Sequence, residues 1–143
     1  MAHKLRSDAE KRDRVFDHMA KFTDKGFATE IPADQVDDPV EGPVWYLPLH
    51  IVEKRGKTRP CHDARAATGG ICLNDQLLGG PNLINSLHKV LMSFRTKKVA
   101  FMTDISAFFH NILVDKRDRE AFRYYWFRSK EMREVVCLSL IHI

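Results

Sequence analysis

Trp45-Tyr46-Leu47-Pro48-Leu49-His50-Ile51-Val52-Glu53-Lys54-Arg55-Gly56-Lys57-Thr58-Arg59-Pro60-Cys61-His62-Asp63 is the stretch that decides the fold. Residues 45–52 are rich in aromatic and β-branched side chains, which pack well on a pleated surface. Residues 53–57 then bring charge and a glycine, and residues 58–63 resume an extended run. Two such runs around a glycine-containing turn predict a β-hairpin with a basic tip.

Upstream of the hairpin, residues 5–25 predict a helix. Ser7 with Glu10 fits a capping box, Val15, Phe16, Met19 and Phe22 recur at helical spacing, and Gly26 suits the stop. That apolar face is narrow, so the helix is expected to lean on another element. Residues 31–43 hold four acids among Pro32, Pro39, Gly42 and Pro43 with no apolar period, which makes them a connector. Downstream, Gly69-Gly70 and Gly79-Gly80-Pro81 bracket a loop, and Leu83, Ile84, Leu87, Val90, Leu91 and Phe94 share one face of a predicted packing helix. Residues 98–103 predict a short apolar strand ending at Asp104. Residues 115–120 predict a helical turn capped by Asp115, and residues 122–127 and 132–138 two more strands. Helix, hairpin, helix, strand, turn, hairpin is an α+β pattern.

At 143 residues and 44% apolar composition, the chain can bury one ordinary core. No apolar run approaches the roughly 20 residues that span a bilayer, so no membrane partner is expected. Cys61, Cys72 and Cys137 lack paired spacing and read as reduced thiols in an intracellular setting. Residues 1–43 carry 7 Lys and Arg against 10 Asp and Glu, net −3; the remaining residues therefore carry 16 against 9, net +7. Such a basic second part is what contact with a phosphate backbone requires, although a solvated Lys/Arg surface has the same composition.

The most informative stretch for chemistry is Thr103-Asp104-Ile105-Ser106-Ala107-Phe108-Phe109-His110-Asn111-Ile112. Ionised Asp is rarely buried without a partner, so an Asp closing an apolar strand is either a cap or a ligand. The stretch resembles the first palm motif of reverse transcriptases, in which an Asp ends a buried strand and an aromatic residue follows five positions later. The resemblance implies that Asp104 is the catalytic carboxylate and a Mg²⁺ ligand, that the Ile105 backbone carbonyl is a further ligand, and that Phe109 lies under the incoming sugar and excludes a 2′-hydroxyl. Magnesium would neutralise the triphosphate and activate the primer 3′-hydroxyl, bound by one or two carboxylates at roughly 2.1 Å.

Thr58-Arg59-Pro60-Cys61-His62-Asp63 resembles the fingers hairpin of the same enzymes, where an Arg four residues before an Asp grips the nucleotide triphosphate. By that likeness Arg59 binds the nucleotide, supported by Lys57 and by Lys54 or Arg55. A planar guanidinium suits the role because it meets phosphate bidentately and keeps its charge. Taken with Trp45-Tyr46-Leu47-Pro48-Leu49-His50 and Leu73-Asn74-Asp75-Gln76-Leu77-Leu78-Gly79-Gly80-Pro81-Asn82-Leu83, the order and spacing are similar to the BEL/Pao family of LTR retrotransposons, from about Phe16 to Glu134. Pro60-Cys61-His62 departs from the family's aliphatic and aromatic run.

The resemblance implies an α+β fold, the fingers and partial palm of a right-hand polymerase. Residues 1–43 form an N-terminal helix and acidic connector, 44–97 the fingers hairpin and helix, and 98–137 the first part of the palm. The implied activity is RNA-directed DNA polymerisation in cytoplasmic retrotransposon particles, with an RNA template, a DNA primer and deoxynucleotides as partners. The usual later Asp-Asp pair does not follow Asp104, and Asp37-Asp38 lies upstream in the connector, so these 143 residues alone are expected to be inactive. Residues 138–143, Leu-Ser-Leu-Ile-His-Ile, leave the family pattern and resemble read-through of a sequencing adaptor, a tail expected to be non-native. The alternatives are a non-catalytic nucleic-acid-binding module and a relic without function.

Other constellations are weaker. Cys61 and Cys72 with His50 and His62 lack metal-ligand spacing. Cys61-His62-Asp63 cannot act as a triad, because adjacent strand residues point to opposite faces. The paired glycines lack the Lys-Ser/Thr of a phosphate loop. Trp45, Tyr46, Tyr124, Tyr125 and Trp126 suit core or sheet packing better than base stacking.

Overall fold

The computed structural model describes residues 2–106 and 108–142; Ala107 of the palm-like motif and Ile143 of the tail lie outside them. The predicted helix over 5–25 is two helices, α1 (Ala2–Ser7) and α2 (Ala9–Asp24). The N-cap is Asp8 and not Ser7: Asp8 is extended, and its carboxylate accepts the Lys11 N–H at 2.9 Å. A carboxylate there satisfies an orphan donor and also meets the positive end of the helix dipole. The helix stops where expected. Gly26 adopts a left-handed φ of 69° and its N–H reaches the Thr23 carbonyl at 2.9 Å.

Val15, Phe16 and Met19 of α2 are buried, with the Phe16 ring 5.0 Å from that of Trp126. They lean on a three-stranded antiparallel sheet in the order β1-β5-β4. Its outer strands are β1 (Ala28–Ile31) and β4 (Arg123–Phe127), and β5 (Val135–Leu140) runs between them. Tyr124 and Trp126 of β4 face the core, whereas Tyr125 is half exposed. Residues 138–140, part of the tail expected to be foreign, form the buried end of the central strand, and Ser139 Oγ donates to the Arg119 carbonyl at 2.7 Å.

A separate hairpin is built from β2 (Leu49–Lys54) and β3 (Lys57–His62), with Leu49 opposite His62 and Lys54 opposite Lys57. Its two-residue turn, Arg55-Gly56, has φ of 52° and 71°, the primed geometry that matches the twist of the strands. The extended run does not begin at Trp45 as one strand. Residues 45–47 run beside β4 instead: the Leu47 N–H donates to the Arg123 carbonyl at 2.7 Å and the Arg123 N–H to the Trp45 carbonyl at 3.1 Å. This ladder ties the acidic connector and the hairpin to the sheet.

The region before the palm-like motif departs most from expectation. After the single turn of α3 (Leu73–Gln76), helix α4 is only Leu87–Phe94 and leaves Leu83 and Ile84 outside it. Its apolar face is exposed, so the expected packing role is not realised. No strand forms over residues 98–103; Phe101 is 83% exposed. An isolated apolar run cannot hold a strand without a neighbour for its N–H and C=O groups. Both edges of β5 are already taken, and among the described residues no strand pairs with 98–103. No helix among the described residues is long and apolar enough to cross a membrane.

Candidate nucleic-acid interface

The hairpin sorts its side chains by strand alternation. Leu49, Ile51, Pro60 and His62 face inward and are partly buried. Toward the tip the same face meets α2. Glu53 forms an ion pair with Lys11 at 2.8 Å and lies 3.8 Å from Arg14, while Arg14 Nε donates to Thr58 Oγ1 at 3.3 Å. The hairpin's one carboxylate before Asp63 is thereby committed to the helix. Asp63 itself closes a turn, accepting the Arg65 N–H at 2.9 Å.

The opposite face alternates His50, Val52 and Lys54 on β2 with Lys57, Arg59 and Cys61 on β3, and Lys57, Arg59 and Lys54 are all exposed. Lys54 sits across from Lys57, and Arg59 across from Val52. With Arg55 at the turn, this ribbon carries four cations and no acid. Like charges directly opposite on a ladder destabilise it, a cost removed when a polyanion lies along the face. Arg59 and Lys57, the predicted nucleotide-binding pair, are therefore together on one exposed surface.

Asp104 is not brought to that surface by a direct contact. It lies exposed in the irregular segment before a 3₁₀ turn, Phe108–Asn111, and among the described residues no hydrogen bond or ion pair links it to Arg59 or Lys57. Ile105 and Phe109 are also more than half exposed, and Phe109 packs edge-on against Phe108 at 5.6 Å. The expected position of Asp104 at the end of a buried strand is thus not met, for the same lack of a strand partner. The donor set does not make a magnesium site. Asp104 supplies one carboxylate, and among the described residues no three His, Cys, Asp or Glu side chains converge to hold a metal.

The turn after Asp104 is nevertheless anchored. The His110 ring lies edge-on to Phe22 at 4.7 Å and stacks on Phe27 at 4.8 Å, and the Val114 N–H donates to the Ile141 carbonyl at 2.9 Å. His62 joins the same cluster from β3, 4.4 Å from Tyr124 and 6.4 Å from Phe22. Burial, then the neighbouring His110 and His50, pushes the His62 pKa down to about 4. Burial lowers His110 too, followed by His18, His142 and Lys25, and lowers His18 together with Lys21 and Arg59. This histidine and aromatic cluster was not anticipated; the one signal for it in the sequence is the i, i+4 spacing of His18 and Phe22.

Neither a family model nor a curated protein matches the chain.

Proposed function

We propose that the chain is the nucleic-acid-binding front of an RNA-directed DNA polymerase, the reverse transcriptase of a BEL/Pao-type LTR retrotransposon, with the β2–β3 hairpin as its fingers contact. The observation that carries the reading is the outer hairpin face, whose Lys54, Arg55, Lys57 and Arg59 stand without an acid while Glu53 is tied inward. Its partners on this reading are an RNA template, a DNA primer and deoxynucleotides, in cytoplasmic particles. Magnesium belongs to the complete enzyme, where it would neutralise the triphosphate; the described residues do not by themselves assemble its ligands. Asp104 would be one carboxylate of that site and Phe109 the screen against a 2′-hydroxyl.

A second reading, a non-catalytic nucleic-acid-binding module, is favoured by the isolation of Asp104. It shares the binding face and differs in what Asp104 does. In fluorescence-anisotropy titrations with an RNA–DNA template–primer, the Lys57→Gln/Arg59→Gln double variant is expected to bind at least about tenfold more weakly, with a shallower dependence on salt because two phosphate contacts are lost. Asp104→Asn is expected to leave affinity unchanged on both readings; in a chain that also supplies the Asp-Asp pair it should abolish primer extension only on the first. Equal affinity and equal salt slope for the double variant and the unaltered chain would remove the hairpin from the interface.

A further inference from the structure

A second basic feature lies on the other side of α2. That helix sends Lys11 and Arg14 toward the hairpin, while Asp13 and Asp17 pair with Lys130 of the turn between β4 and β5 and Arg12 lies beside the same turn. There, an open pocket of about 730 Å³ is lined by Arg6, Arg12, Lys130, Glu131, Met132 and Arg133. Four cations face one carboxylate. The turn that brings them together is fixed from within: Met132 adopts a left-handed φ of 54° with its side chain buried, and its carbonyl accepts Arg6 Nη2 at 3.4 Å.

The charges are unequally satisfied. Lys130 is shared between Asp13 and Asp17 at 3.5 and 3.4 Å. Glu131 is held below the usual carboxylate range first by its Ser129 hydrogen bond and further by Arg133 and Arg12. Arg12 Nε, by contrast, is buried with no hydrogen-bond partner, its nearest carboxylate oxygen being that of Asp13 at 3.9 Å. A buried guanidinium N–H without an acceptor leaves a desolvation cost that an oxyanion would relieve. Among the described residues Arg133 is exposed and enters no ion pair.

We infer that this pocket binds a phosphate-bearing anion, the oligophosphate of a nucleotide or the backbone of a nucleic acid, through Arg12 and Arg133 with Arg6 at its wall. A single carboxylate would neutralise too little of the site, whereas guanidinium forks match the several oxygens of linked phosphates. The volume falls within the roughly 300–1,000 Å³ of ligand clefts and exceeds the need of one small ion. This site is independent of the polymerase reading, which concerns the other side of α2.

The test titrates inorganic tripolyphosphate into the full chain by isothermal calorimetry. With the hairpin cations removed throughout by Lys57→Gln/Arg59→Gln, saturable binding is expected to persist, and to be weakened about tenfold or more by adding Arg12→Gln or Arg133→Gln. Arg133→Gln alters an exposed side chain, so it remains informative should Arg12→Gln unfold. A twelve-residue oligoadenylate displacing tripolyphosphate would identify backbone phosphate as the ligand, and a deoxynucleoside triphosphate doing so would identify terminal phosphate; either supports the site. It is overturned if the Lys57→Gln/Arg59→Gln chain shows no saturable binding, if adding Arg133→Gln to it changes nothing, or if neither nucleotide form displaces the probe.

Discussion

Replacing Arg123 by methionine is expected to destabilise the fold by about 3 kcal/mol, because it removes one partner of a buried charged network and strands the rest. The Arg123 side chain is 2% exposed. Its Nε meets Glu120 at 2.5 Å, and its Nη1 donates to the Val36 carbonyl at 2.6 Å and to the Tyr46 hydroxyl at 3.1 Å. Tyr46 in turn stacks on Tyr125, nearly parallel at 5.1 Å. Burial opposes the Arg123 charge, and the Tyr46 and Glu120 contacts outweigh it, holding the pKa above its ordinary value. One guanidinium therefore joins the acidic connector, the run before the hairpin and strand β4. Lysine cannot reach three acceptors in different directions, so Arg123→Lys should recover little. A thermal scan should show the melting midpoint lowered by about 10 °C; a fall of less than about 2 °C would mean that the network contributes nothing to the fold.

Acidification is expected to remove roughly 3 kcal/mol of stability through His62, the value of a pKa lowered from 6.5 to about 4 at 1.36 kcal/mol per unit. Its sign follows from proton counting. The folded state binds fewer protons at His62 than the unfolded chain, so the stabilisation is complete above about pH 6.5, is lost as pH falls from there, and levels off below about pH 4. His110 and His18, lowered for related reasons, act in the same direction. His62 Nε2 is buried without a hydrogen-bond partner, so His62→Phe sacrifices no bond there while removing the proton site. Denaturant midpoints compared at pH 7.5 and pH 4.5 should fall much less for His62→Phe than for the unaltered chain. Equal falls would place the acid sensitivity elsewhere.

What could be read from the sequence depended on how local each signal was. The hairpin was legible because its turn chemistry sits between its two strands: Arg55-Gly56 supplies the left-handed pair that a two-residue turn needs. The period of two along β3 likewise put Lys57 and Arg59 on one face. The β4–β5 pair was legible from its aromatic and β-branched content. Strand β1 was not, since Ala28–Ile31 is short and finds its partner only near the other end of the chain, Ala28 opposite Leu140. Asp8 and Ser7 are both good caps, and the adjacent sequence does not choose between them. Residues 98–103 carry the composition of a strand and lack a neighbour to pair with. A buried arginine was equally invisible, because the acceptors that permit it, at Val36 and Tyr46, are remote from Arg123 in sequence. Within the candidate site, Arg59 and Lys57 were fixed by strand geometry, whereas the place of Asp104 depended on long-range pairing that composition does not encode.

The most direct test of the central claim is photo-cross-linking of the chain to a template–primer whose RNA strand carries 4-thiouridine, with the linked residues mapped by mass spectrometry. Adducts are expected within residues 50–59, on the outward-facing side chains of β2, β3 and their turn, and should be lost when Lys57 and Arg59 are replaced by glutamine. Adducts confined to other segments, or unchanged by that replacement, would contradict the assignment of the hairpin as the nucleic-acid contact.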